Sequence, residues 1–155
     1  MREAIGTTYV VNFIIVFFAL FIFIFVGTLS YTKAFKVKNK IVDIIENRDG
    51  VGIENGNRLS SSVKDEIDSK LSEIGYRISN NNTCDTDGRF EDADAVLTQD
   101  SSSYRYCIYK FNTSKGSYYG VVSYIYFEIP IIGVKLEFPV YGETKIFTEL
   151  DKVNG

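Results

Sequence analysis

The sequence predicts an α+β chain: a long N-terminal transmembrane helix continuing into an amphipathic helix, a second short helix, and a small antiparallel sheet of three to five strands. Three observations carry this. Residues Ala4 to Thr32 contain no charged side chain. Two later stretches place apolar residues at helical spacing. From Tyr104 onward, apolar and polar residues alternate and aromatic residues are frequent. A period near 3.6 marks a helix face and a period of 2 marks a half-buried strand.

The uncharged run centres on Tyr9 to Val26, which is apolar almost throughout. About 20 apolar residues span the hydrocarbon of a bilayer as a helix. A soluble helix is seldom apolar on every face for so long. Tyr9 and Tyr31 bracket the run, as interfacial aromatics do. A cleaved secretory signal is the rival reading, but its apolar region normally covers about 7–15 residues. A retained single-pass anchor over residues 9–31 is therefore expected, after a short leader over 1–8. Asn12 is the strongly polar residue inside the run, near one end. It is read as interfacial, or as a helix–helix contact in the membrane.

Beyond the anchor, Ala34, Val37, Ile41, Ile44 and Ile45 repeat at helical spacing between Lys and Asp residues. The helix is thus expected to continue, now amphipathic, over 32–50 and to stop at Asp49-Gly50. A chain starting near Asn39 drops the apolar run and is expected to be soluble. Val51 to Leu59 carries glycine turn signals and reads as a loop. A second helix is expected from Ser60–Ser62, with Asp65 completing a capping box and Gly75 closing it. Its stripe of Val63, Ile67, Leu71 and Ile74 reads as core. Tyr76 to Ser79 reads as a short strand.

The strands follow. Tyr104 to Phe111 alternates, Asn112 to Gly116 is a turn, and Tyr118 to Ile129 is a long strand candidate. Val134 to Phe138 and Tyr141 to Phe147 alternate again. Residues 51–155 are read as one α+β domain, with the helices covering one face of the sheet.

Composition bounds the chemistry. The 155 residues carry 17 basic and 20 acidic side chains, a net charge of −3, and no His or Trp. So mild an imbalance argues against nucleic-acid binding, which needs a basic face. Without His, the usual Ser–His and Cys–His nucleophile pairs and most zinc ligation are missing. The chain is read as non-enzymatic and free of cofactors, with carboxylate-dependent hydrolysis as the remaining enzymatic option. Acidic residues do cluster at Asp85, Asp87 and Asp92, the type of oxygen ligand that hard cations use. The spacing of a calcium-binding loop is absent, so this reads as a solvated acidic turn and no metal is expected. The two cysteines, Cys84 and Cys107, suggest a disulfide if the domain is exported. Closing that loop would stabilise by about 3 kcal/mol. The alternative is a pair of separate buried thiols in a cytoplasmic domain.

The layout resembles type IV pilin-like proteins, and most closely the TadE/TadG-like pseudopilins of bacterial tight-adherence pili. Two segments carry the likeness. Gly6-Thr-Thr-Tyr-Val-Val-Asn-Phe13 resembles the family's glycine-led start of the apolar helix. Ser123-Tyr-Ile-Tyr-Phe-Glu-Ile-Pro-Ile-Ile-Gly133, with Val134 to Phe147, resembles its paired final strands. The resemblance implies processing at Gly6 and association with other pilin-like or assembly proteins through the apolar helix. The sequence departs from the family at Asn12, where pilins usually carry a Glu before the Phe that registers neighbouring subunits.

Orientation sets two signals against each other. Lys33, Lys36, Lys38 and Lys40 follow the span, and basic residues favour the cytoplasmic side. The cysteines and the resemblance favour export. The expectation is a single-pass protein of the cell membrane with its C-terminal domain on the extracytoplasmic side. It would be a pseudopilin-like structural component of a bacterial pilus or secretion assembly. A second expectation is a membrane-tethered extracellular binding module unrelated to pili, with Asp85, Asp87 and Asp92 as candidate cation ligands.

Overall fold

In a computed structural model, the described residues are 2–48, 50, 53–54, 58–76, 84, 89–97, 104, 106–129 and 134–148. Helix α1 (Arg2–Asn47) is continuous over 46 residues. It has no Pro to break its ladder, and its stop lies at Gly50, whose φ of 120° suits glycine. Strands β1 (Ile53–Glu54) and β2 (Arg58–Leu59) then form a two-residue antiparallel pair. That segment reads as loop from its glycines. Helix α2 (Ser61–Ile74) follows, and its Gly75 cap is left-handed at φ 68°, the conformation that ends helices at low cost. Its start corrects the expected capping box. Ser60 occupies the N-cap but makes no side-chain cap bond. Its hydroxyl lies 3.3 Å from that of Ser62 instead.

Strands β3 (Ala95–Val96), β4 (Tyr106–Thr113), β5 (Gly116–Ile129) and β6 (Val134–Glu143) form one antiparallel sheet in the order β3-β4-β5-β6. The layout is α+β. Ser114 and Lys115 make the β4–β5 turn, and Gly116 enters β5 at φ 144°. A Cβ there would collide with the carbonyl of Phe147, so glycine is required twice over. Two sequence readings are corrected. Val134 to Phe138 and Tyr141 onward are not separate strands, because β6 runs through Pro139. An edge strand tolerates proline, whose missing N–H is not needed by an inner neighbour. Tyr76 begins no strand; it is irregular, and residues 77–79 lie outside the described set.

Both faces of the sheet are covered, by different means. On one face Val37, Ile41, Ile44 and Ile45 of α1, Val63, Ile67 and Leu71 of α2, and Ile108, Tyr119, Val121 and Phe147 form one core cluster, with α1 lying against both α2 and the sheet. On the other, Phe90 packs with Cys107, Tyr109, Phe111 and Val122. Residues of β4 alternate between the two cores, Tyr106 and Ile108 to the first, Cys107 and Tyr109 to the second. That is the period-2 geometry of a strand. Phe90 reaches the sheet because Gly120 leaves room; a Cβ there would lie 2.8 Å from its ring.

Candidate membrane-facing and interaction surfaces

The first surface is the N-terminal half of α1. Thr8 to Val26 are all exposed, and this helix alone among the described ones is long and apolar enough to cross a membrane. None of its most apolar stretch is buried within the chain. Tyr9, Phe13, Phe17, Phe21 and Phe25 recur every fourth residue, so their rings form one ridge along the helix. Thr28 and Thr32 turn their hydroxyls back to the carbonyls of Ile24 and Thr28, 2.9 Å in each case. This satisfies both hydroxyls without a partner outside the helix, as suits a polar group near hydrocarbon.

Asn12 sits on this exposed half, and Gly6 lies in the first turns of the same helix with nothing within 4 Å of where a Cβ would be. The two lie about 9 Å apart along the same exposed helix and on different faces of it. Neither is covered by the rest of the chain.

The lysines that follow the apolar run are partly committed to the domain. The stem of Lys38 lies across Gly142, and its ammonium sits 4.2 Å from the centroid of the Phe35 ring. Lys40 bonds Asp43 at 2.9 Å. Hydrogen bonding to Lys40, then its charge, holds the Asp43 carboxyl below the usual carboxylate range; the same contact raises Lys40. Lys36, Asn39, Lys40, Asp43 and Ile74 line a shallow open depression between α1 and α2.

Cys84 and Cys107 form a disulfide, with Cα atoms 5.7 Å apart. It ties the segment before Phe90 to β4 on the face away from α1. Among the acidic candidates, Asp92 is exposed in a turn, and Asp85 and Asp87 lie outside the described residues. Asp94 is engaged: its carboxylate accepts the Asn112 N–H at 2.6 Å.

Sequence reasoning missed Ser123 and Tyr76. Ser123 is fully buried, and its hydroxyl donates to the Ala34 carbonyl at 2.8 Å. Tyr76 accepts the Tyr124 N–H at 2.8 Å and donates to the Tyr124 carbonyl at 3.1 Å, closing β5 where β4 ends. A polar residue inside an apolar strand segment was the signal available for Ser123. No protein-family model, characterised protein or solved structure matches the chain.

Proposed function

We propose that the chain is a membrane-anchored, pseudopilin-like structural subunit of a bacterial pilus or secretion assembly, with its α+β domain on the extracytoplasmic side. The observation that supports this most is the division of α1. One unbroken helix gives a bare apolar half and a half that forms the core of the domain. An assembly subunit of this plan is held in the membrane by the first half and presents the domain with the second. The resemblance at Gly6 to Phe13 and at Ser123 to Phe147 supports the same reading.

Sidedness rests on the disulfide and on how the lysines are used. Disulfides persist in oxidising compartments. Lys38 and Lys40 make contacts within the domain that are independent of which side of the membrane they occupy. The exposed apolar helix is then the surface for other pilin-like or assembly proteins, with Asn12 able to hydrogen-bond across helices.

Two measurements test the reading. Maleimide labelling of full-length protein from intact cells should find Cys84 and Cys107 unreactive until a reductant is added, and externally added protease should digest the domain in spheroplasts. Free thiols together with a protected domain would place it in the cytoplasm and end the proposal. Photo-crosslinking from position 12 should trap a neighbouring membrane helix. Crosslinks to lipid alone would leave an anchored protein with no assembly role.

A further inference from the structure

β5 outruns the sheet. Its pairing with β4 ends at Ser123, yet it continues to Ile129. From Tyr124 to Ile129 it runs paired with β6, from Pro139 to Val134. Tyr76 closes the β4 side of this stretch at Tyr124. The β5–β6 ribbon thus continues past the last β4–β5 pair, with Tyr76 and Tyr104 flanking its start.

The ribbon has a direction. Lys145 N–H bonds Glu46, and Gly142 lies against Lys38. Over those three residues the strand advances about 10 Å, while its contacts on α1 retreat by about 12 Å. Strand and helix therefore run side by side, with β6 read backwards and β5 read forwards pointing at the N-terminal half of α1. On β5, Ser123 is level with Ala34. The uncharged run of α1 ends at Thr32, about 3 Å from that level along the helix axis. The ribbon extends about 20 Å past Ser123. Ala34 is buried, and Ser30 and Gly27, one and two turns earlier on the same face of α1, are still half-buried.

The ribbon is also two-sided in sequence. The register pairs Ile125 with Phe138, Phe127 with Leu136 and Ile129 with Val134, all apolar. The intervening pairs are Tyr124 with Pro139, Tyr126 with Glu137 and Glu128 with Lys135. Ser123, in the same alternate set as Ile125, faces α1. Phe138 is 52% exposed, the most exposed large apolar residue of the sheet among the described side chains.

We propose that the ribbon arms, through exposed Phe138 and the half-buried Ile125 and Leu136 on either side of it, rest in the surface of the lipid bilayer beside α1 as a second membrane contact. The inference rests on α1 spanning that bilayer and is independent of any pilus. The bilayer is the occupant because the ribbon runs alongside α1 toward its uncharged half. Any membrane that takes up that half meets the ribbon without a further partner. Apolar groups of this kind enter the headgroup and acyl boundary by about 5–10 Å. Two points of contact fix the tilt of the domain and its rotation about α1, which one helix does not.

The chain has no Trp, so a single introduced Trp is a clean reporter. Full-length Phe138→Trp, Phe13→Trp and Asn112→Trp are reconstituted in phosphatidylcholine vesicles whose acyl chains carry bromine, which quenches Trp on contact. Asn112 lies at the far end of the sheet, beside the β4–β5 turn. Phe138→Trp should be quenched several-fold more than Asn112→Trp, approaching Phe13→Trp. Leu136→Trp, nearer the ribbon end, serves if the first variant misfolds and should be quenched more. If Phe13→Trp is quenched while both ribbon reporters match Asn112→Trp, the ribbon proposal falls and the span stands. If Phe13→Trp is also unquenched, both fall. A blue-shifted ribbon Trp that escapes bromine and reverts when protein is diluted in lipid would assign the surface to a second copy, and would overturn the proposal.

Discussion

From Tyr9 to Val26, α1 exposes its side chains on every face; from Val37 to Ile45 the same helix buries Val37, Ile41 and Ile45 completely. Backbone geometry is the same in both halves, so the difference lies in what surrounds them. The first half is uniformly apolar, which no single protein face could satisfy. The second carries an apolar stripe between charged residues, which one sheet face can satisfy. Because no break separates them, the rod is about 69 Å long and couples the domain rigidly to whatever holds the first half.

The largest effect comes from where the rod is cut. A chain beginning at Thr32 sheds the exposed run and keeps Ala34 and Val37 in the core. It should be soluble and melt cooperatively. Beginning at Asn39 also removes the apolar run, as the sequence suggested, but deletes Val37 and the carbonyl that binds Ser123. That shorter chain should lose its cooperative melt by circular dichroism. Equal melts for both would mean that the boundary between the halves lies later than Ala34.

Single substitutions sharpen the same contrast. Ile41→Ala, at a site with no exposure, should cost about 4 kcal/mol in denaturant unfolding of the Thr32 chain. Phe17→Ala, 59% exposed, should leave the melting of the domain unchanged in the full-length protein in detergent. Replacing Cys84 and Cys107 by Ser acts on the sheet face away from α1. It should cost about 3 kcal/mol and leave the packing of Ile41 intact. A loss well under 1 kcal/mol would mean that the Phe90 cluster alone holds that face.

Much of this architecture was legible because periodicity is local. The stripe Val37, Ile41, Ile44 and Ile45 and the stripe Val63, Ile67 and Leu71 are buried together as their spacing implied. What was not legible depends on neighbours distant in sequence. Val134 to Phe138 and Tyr141 to Phe147 read as two segments because nothing local says that β6 is an edge strand that can run through Pro139. Phe90 stands alone among polar residues, and its role emerges only once Gly120 lies beneath it. The two-residue strand β3 is too short for any period. The surfaces divide likewise: the exposed run was plain, whereas the direction of the β5–β6 ribbon follows from contacts between residues some 90 apart, Ser123 with Ala34.

The smallest effect should come from the charged face of the buried half. Asp43 is lowered chiefly by its hydrogen bond from Lys40, then by the lysine charge, and Lys40 is raised by the same pair. A carboxylate with a depressed folded pKa contributes stability above its unfolded pKa and loses it as pH falls through the folded value. A lysine with a raised pKa contributes below its unfolded value and loses the contribution as pH rises through the folded one. The pair is therefore fully formed at neutral pH and weakens at either extreme. Both side chains are well exposed, at 39% and 53%, so water and salt screen them. If the core holds this half of α1, Asp43→Asn should lower the neutral melting temperature of the Thr32 chain only marginally in physiological salt. That small advantage of the parent should vanish at acidic pH, where its melting curve falls to that of the variant. A neutral-pH loss as large as that of Ile41→Ala would show that surface charge, and not the apolar stripe, distinguishes the second half of the helix from the first.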